Sequence, residues 1–178
     1  FSHPKLEKHL VDFNDGDSFL VALSNSDVVF CSIGTTQKKV KGDKEAYRKI
    51  DYDIAVNAAR FSKMVGCETF VLVSSVGANS KSNNFYLKLK GEIEDTVKET
   101  GLHSINIMRP SILLGDRKEN RLAESISKKL MSALSFLVPS KYKAIHGRTV
   151  AKAMKNVSKE NKQGFFIHEY KEIKKLIN

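Results

Sequence analysis

Residues 70–94 read FVLVSSVGANSKSNNFYLKLKGEIE, and no other segment indicates the fold as clearly. It opens with a short, nearly continuous apolar run that stops at a pair of serines. A helical pattern follows, in which Tyr86 and Lys90 lie one turn apart on the same face. Continuous apolar runs are typical of strands that helices cover on both faces. The stretch therefore predicts a buried strand followed by a helix, with polar side chains where the two elements meet.

The same alternation of short apolar runs and longer helical patterns extends along the chain. Strands are predicted at 8–13, 27–33, 69–75, 103–109 and 164–170. Helices are predicted at 43–64, 82–100, 122–137 and 148–159, with a short helix at the carboxyl terminus. This order predicts an α/β fold, a doubly wound parallel sheet with helices on both faces.

The composition argues against several classes of function. The 178 residues are 41% hydrophobic, which is enough for the core of one domain over 1–178. The net charge of +10 comes mostly from lysines interleaved with acidic residues, so it indicates a solvated surface, and nucleic-acid binding is not expected. The two cysteines and five histidines show no metal-ligand spacing, so no metal site is expected. No apolar run is long enough for a membrane span, and we expect a cytoplasmic protein without membrane association.

The chemistry should lie beyond the carboxyl ends of the strands, where open α/β sheets bind their ligands. Ser74 and Ser75 end one strand, and Tyr86 and Lys90 follow on the next helix. A tyrosine hydroxyl can exchange a proton with a carbonyl oxygen, a nearby ammonium favours its phenolate form, and a serine can hold the substrate oxygen in line. Tyrosine and lysine one turn apart also occur in ordinary surface packing, and serines can simply end a strand. Their joint placement is what favours catalysis.

Three segments, in the order VVFCSIGTT (28–36), FVLVSSVGANSKSNNFYLKLKGEIE and MRPSILLGDR (108–117), resemble those of an atypical short-chain dehydrogenase/reductase. The branch is that of the Tat-interacting-protein-like oxidoreductases, and the resemblance runs from about residue 11 to 154. It implies a Rossmann-type sheet, NADP as cofactor with NAD possible, and hydride transfer to or from a small carbonyl or alcohol through Ser75, Tyr86 and Lys90. The alternative is a catalytically weak dinucleotide-sensing or protein-interaction module on the same fold.

The resemblance also implies a set of cofactor contacts. Asp12 resembles the residue that meets the adenine amino group, and Gly34 and Thr35 resemble the loop against the adenosine. The full set of implied cofactor-binding residues is Asp12, Gly34, Thr35, Ser74, Tyr86, Lys90, Arg109, Pro110 and Ser111. From the residues alone, a glycine at a strand end permits close approach of a ligand but equally makes a turn. Pro110 cannot continue a central strand, which independently predicts that the chain leaves the sheet there.

The glycine-rich GxxGxxG of the family is absent from the 178 residues. Either the chain begins after that unit, or the protein lacks it. In the Rossmann strand order the 8–13 strand would pair with a strand of the missing βαβ unit, so we expect roughly 30 to 40 preceding residues.

The region 116–145 is expected to cover the substrate side of the domain. We expect its apolar residues to pack against the domain rather than to clamp a substrate, or to form a homodimer contact. They are Leu130, Met131, Leu134, Phe136 and Leu137.

Overall fold

The computed structural model describes residues 2–115, 139–160 and 162–177. Its strands are β1 Val28–Cys31, β2 Thr69–Val73, β3 Ser104–Met108, β4 Leu113–Leu114, β5 Ile145–His146 and β6 Gly164–His168. The central sheet has the order β1-β2-β3-β6, and every pair in it is parallel. The short strands β4 and β5 form a separate parallel pair. The predicted α/β fold with a parallel sheet is confirmed.

The described helices match the predicted pattern except for α1, Gly16–Leu23, which was not predicted. They are α1 Gly16–Leu23, α2 Lys44–Arg48, α3 Ile54–Met64, α4 Phe85–Glu99, α5 Gly147–Val157 and α6 Tyr170–Lys175. A π-helical turn, Lys49–Asp53, joins α2 to α3, so the predicted helix 43–64 is continuous but has one widened turn. No described helix is both long and apolar enough to cross a bilayer.

Side chains that alternate along the strands build a core on each face of the sheet. On the first face Val29, Cys31, Phe70 and Leu72 pack with residues of α1, α3 and α4. On the second face Val71 and Met108 pack with residues of α5 and α6. The expected helices therefore cover both faces. Burial on both sides also explains why β2 and β3 are nearly continuous in apolar residues.

The strand predicted at 8–13 is wrong. This segment has no regular secondary structure, and Leu10 is fully exposed. A strand needs a neighbour to complete its backbone hydrogen bonds. In the described ranges β1 pairs only with β2, and no strand lies beside residues 8–13.

Three other predictions fall wholly or mostly outside the described residues. The helix predicted at 122–137 lies there, as does most of the region expected to cover the substrate side. The same holds for the apolar residues assigned to packing or to a homodimer contact, which are Leu130, Met131, Leu134, Phe136 and Leu137. All three stay predictions.

Candidate functional site

Loops that follow three neighbouring strands meet at one edge of the sheet. Gly34 and Thr35 come after β1, Ser74 and Ser75 directly after β2, and residues 109–111 directly after β3. Because these strands are parallel and adjacent, their carboxyl ends lie side by side. The fold thus brings most of the predicted site residues to the edge where open α/β sheets bind ligands.

The loop 74–82 packs closely against the first turns of α4. Asn84 caps the helix by accepting a hydrogen bond from the Leu87 amide at 3.1 Å, and the Asn79 amide donates to the Leu87 carbonyl at 3.0 Å. At Gly91 the helix approaches this loop so closely that an added Cβ would lie 2.1 Å from the backbone nitrogen of Ser80. The close approach fixes Tyr86 and Lys90 beside the loop that carries Ser75.

Lys90 and Tyr86 lie close together, as their spacing predicts. The Lys90 Nζ is 5.8 Å from the centroid of the Tyr86 ring, within the range of a cation–π contact. Lys90 is only 7% exposed, whereas Tyr86 is 36% exposed. Within the described ranges nothing hydrogen-bonds to the Tyr86 hydroxyl. The ammonium is therefore held in place, and the phenol lies at the surface of the site.

Asp51, which the sequence analysis missed, is the partner that holds Lys90. Its Oδ1 accepts a hydrogen bond from Lys90 Nζ at 2.9 Å, and its Oδ2 accepts one from the Thr35 amide at 2.6 Å. Asp51 is 2% exposed and lies in the π-helical turn. The spacing of Asp51 could have indicated its burial, because Tyr47, Asp51 and Ala55 fall four residues apart and all three are buried. An acid on the buried stripe of a helix usually has a partner.

The loop after β1 is anchored to the same helix. The Thr35 carbonyl accepts a hydrogen bond from the Tyr47 hydroxyl at 3.3 Å. At Gly34 an added Cβ would lie 3.3 Å from Asp51 Oδ1, so the loop backbone lies directly on the carboxylate. Burial raises the pKa of the nearby Cys31 thiol; the Ile33 backbone and the Lys90 charge lower it by less, and the Asp51 charge raises it slightly further. Cys31 is therefore protonated at neutral pH and is not a nucleophile.

Ser74 and Arg109 are both bound to Glu94, a second buried acid that the sequence analysis missed. The Ser74 hydroxyl donates to Glu94, and Arg109 Nε donates to the two carboxylate oxygens at 3.1 and 3.2 Å. Glu94 is 3% exposed and lies one turn after Lys90, so its position on the buried face was the available signal. These three groups tie the ends of β2 and β3 to α4.

Ser75 is the serine whose hydroxyl is less engaged. It is half-buried, and its Oγ makes one long hydrogen bond, 3.4 Å, to the Val76 carbonyl. The Pro110 carbonyl accepts from the Val76 amide at 3.0 Å, which joins the two loops. The Ser111 hydroxyl donates to the Lys143 carbonyl at 2.7 Å and so supports the chain before β5.

Asp12 is bonded within its own segment of the chain. Its carboxylate accepts from the amide and side chain of Asn14 at 2.9 and 3.0 Å, and it lines a polar cleft with Lys49 and Asn57. No hydrogen bond joins it to Gly34 or Thr35 in the described ranges. The strand expected to carry Asp12 to the edge of the sheet is not formed.

An apolar cleft of about 540 Å³ opens on the second face of the sheet, away from Tyr86 and Lys90. It is lined by Phe30, Ser32, Val73, Leu113, Gly147, Val150, Ala151, Met154 and Lys155. None of the predicted catalytic residues contributes to it. In the part of the chain that the structure describes, no group of three or more metal-ligating side chains comes together.

Curated relatives extend these observations. The chain is 35% identical over 155 residues to Protein HTATIP2 of Rattus norvegicus, which covers 87% of this chain and 63% of that protein. It is 44% identical over 104 residues to Protein FMP52, mitochondrial, of Candida albicans, covering 58% of this chain and 45% of that protein. The chain thus spans less than two thirds of either relative.

Solved structures show the same fold at low identity. UDP-N-acetylglucosamine 4-epimerase of Bacillus cereus superposes with a TM-score of 0.67 at 16% identity, covering 92% of this chain and 65% of that one. The dTDP-4-dehydrorhamnose reductase of Bacillus anthracis, in complex with NADP, gives 0.65 at 15%, covering 94% and 68%. The profile of the HIM1 family matches residues 2–174. The chain therefore belongs to the HIM1 family and is an atypical short-chain dehydrogenase/reductase of the Tat-interacting-protein-like branch.

Proposed function

We propose that this protein is an NAD(P)-dependent oxidoreductase that transfers hydride to or from a small carbonyl or alcohol. The observation that carries the proposal is the buried Lys90 ammonium, 5.8 Å from the centre of the Tyr86 ring, at the carboxyl edge of a parallel sheet. A reductase solved with NADP has the same fold, which supports a dinucleotide cofactor. We propose NADP, with NAD as the second possibility.

Each residue has a defined role in this proposal. The Tyr86 hydroxyl gives a proton to the carbonyl oxygen during reduction and takes one from the alcohol in the reverse direction. Lys90 orients the phenol and supplies a hydrogen-bond donor beside it. Ser75 holds the substrate oxygen, because the Ser74 hydroxyl is already bound to Glu94. A bound nicotinamide ring supplies or accepts the hydride.

The residues present fit part of a dinucleotide. The backbone at Gly34 and Thr35 is held by Asp51 and Tyr47, which gives a fixed loop at the expected adenosine side. Lys90 and the segment from Arg109 to Ser111 lie at the expected nicotinamide side. No GxxGxxG occurs in the 178 residues, so the phosphates have no glycine-rich loop in this sequence.

The test compares Tyr86→Phe with a matched control, Tyr170→Phe, which removes a hydroxyl from a half-buried tyrosine at the start of α6. The full-length protein is titrated with NADPH and NADH by fluorescence and then assayed against a panel of small aldehydes and ketones. We expect Tyr86→Phe to lower turnover by about 10²-fold or more while binding of the dinucleotide is retained. Equal turnover by the two variants would contradict the proposal.

A second function, a catalytically weak dinucleotide sensor or interaction module, is favoured by one contact. The Lys90 ammonium is paired with Asp51, so less of its charge acts on the phenol. Dinucleotide binding without turnover across the panel would support this alternative.

Location is a separate proposal. We place the protein in the cytoplasm, whereas the names of the fungal FMP52 relatives include the word mitochondrial. Cell fractionation decides between the two compartments.

A further inference from the structure

A single buried carboxylate joins the lysine of the site to the loop after β1. We propose that Asp51 is a positioning residue that holds Lys90 and the Gly34–Thr35 loop as one unit and keeps the net charge beside Tyr86 near zero. The proposal rests on the proposed function and assigns a role to a residue on a different helix from Tyr86 and Lys90.

The geometry supports the positioning role. Each Asp51 oxygen has its own donor, Lys90 Nζ at 2.9 Å and the Thr35 amide at 2.6 Å. The side chains of Lys90 and Asp51 are 8% and 2% exposed, so water cannot easily replace either bond. An asparagine at this position would keep one acceptor and turn an N–H group toward the other donor. Both hydrogen bonds therefore require the carboxylate.

The charge balance supports the second part of the proposal. A lone ammonium about 6 Å from a phenol favours the phenolate, and a carboxylate bonded to that ammonium offsets most of the effect. Other described groups lie near this pair on each packed element. They are Cys31 on β1, Tyr47 on α2, the Arg48–Glu92 ion pair between α2 and α4, and the Glu94–Arg109 pair on the next turn of α4. Cys31 is neutral and both ion pairs are balanced, so Asp51 controls the local net charge.

The test uses Asp51→Asn, Lys90→Met, the double variant of both, and Glu92→Gln. Glu92→Gln is the matched control because it also removes one carboxylate from an ion pair near Lys90, in this case an exposed one. Two quantities are measured in the full-length protein: the pH profile of kcat, and the pH midpoint at which phenolate absorbance appears, with Tyr86→Phe as the blank. The second does not require turnover.

We expect Asp51→Asn to move the phenolate midpoint and the pH profile about one unit or more toward acid, since it leaves the lysine charge unbalanced. Lys90→Met should move the midpoint toward base, and the double variant should return close to wild type. kcat should fall in Asp51→Asn because asparagine can accept from Lys90 or from the Thr35 amide but not from both, so the two are no longer held as one unit. Glu92→Gln should behave as wild type.

The outcomes separate this inference from the proposed function. An absence of dinucleotide binding and turnover in the wild-type protein defeats the proposed function, and the absorbance midpoints still decide whether Asp51 sets the local charge. Turnover in the wild type with an unchanged midpoint and profile in Asp51→Asn overturns the inference alone. Should Asp51→Asn fail to fold, Asp51→Glu replaces it. That variant keeps the charge but displaces the carboxylate, so we expect a wild-type midpoint with reduced kcat, and a shifted midpoint would overturn the inference.

Discussion

Replacing Gly91 by alanine tests whether the close approach of α4 to the loop 74–82 holds the site together. In an open helix this change would stabilise the protein by about 1 kcal/mol, because alanine is the better helix former. Here the added Cβ would lie 2.1 Å from the nitrogen of Ser80 and 2.3 Å from the carbonyl carbon of Asn79. Both are backbone atoms, so no side-chain rotation can relieve the overlap. The loop or the helix must move by about 1 Å.

We expect this movement to lower the free energy of unfolding by about 2 kcal/mol, an overpacking cost of about 3 kcal/mol less a gain of about 1 kcal/mol in helix propensity. In urea, with a slope near 2 kcal/mol/M, the midpoint should fall by about 1 M. The control is Gly147→Ala at the start of α5, where the nearest atom is the Leu114 carbonyl oxygen at 3.8 Å. That variant should lie within about 0.5 kcal/mol of wild type. If Gly91→Ala were as stable as Gly147→Ala, the packing argument would be refuted.

Three further predictions concern buried groups. Glu94→Ala should lower the free energy of unfolding by about 3–5 kcal/mol because it leaves the Arg109 guanidinium unpaired. Glu92→Ala, at an exposed pair, should lower it by less than about 1 kcal/mol, and urea titrations of the two variants compare these costs. Burial lowers the pKa of His168, so the unfolded chain takes up its proton first as the pH falls. Stability should therefore decrease below about pH 6.5, and His168→Gln should flatten this dependence in urea midpoints measured from pH 7 to 5; equal slopes would contradict it. Burial raises the pKa of the Cys31 and Cys67 thiols, so neither should react with a disulfide reagent at pH 8 until urea unfolds the protein. Rapid labelling of the folded protein would contradict this prediction.

The strands and helices could be predicted where the pattern of apolar residues within the element determines its structure. β2 and β3 are buried on both faces, so their apolar runs mark them within a residue or two of their ends. The segment 8–13 shows the limit of that reasoning. Its residues favour an extended chain, but a strand also requires a neighbour to hydrogen-bond with, and local residues do not specify one.

The candidate site could be predicted only in part for a similar reason. Tyr86 and Lys90 share one helix, so their spacing was enough to place them together. Asp51 is 39 residues before Lys90 in sequence, and nothing local in either segment indicates that they meet. The helices were predicted from the spacing of their apolar residues, and that spacing does not identify buried acids. Asp51 and Glu94 were therefore missed.

The π-helical turn at Lys49–Asp53 makes the length of this segment matter more than its composition. A π-helical turn takes up one residue more than an α-helical turn for nearly the same rotation, so α2 and α3 keep close to the relative orientation of a regular helix. One further inserted residue would turn α2 relative to α3 by about 100° and carry the Tyr47 hydroxyl away from the Thr35 carbonyl, whereas deleting one residue would close the widened turn that contains Asp51. Substitutions at the exposed positions of this turn should therefore be tolerated more readily than a change in its length.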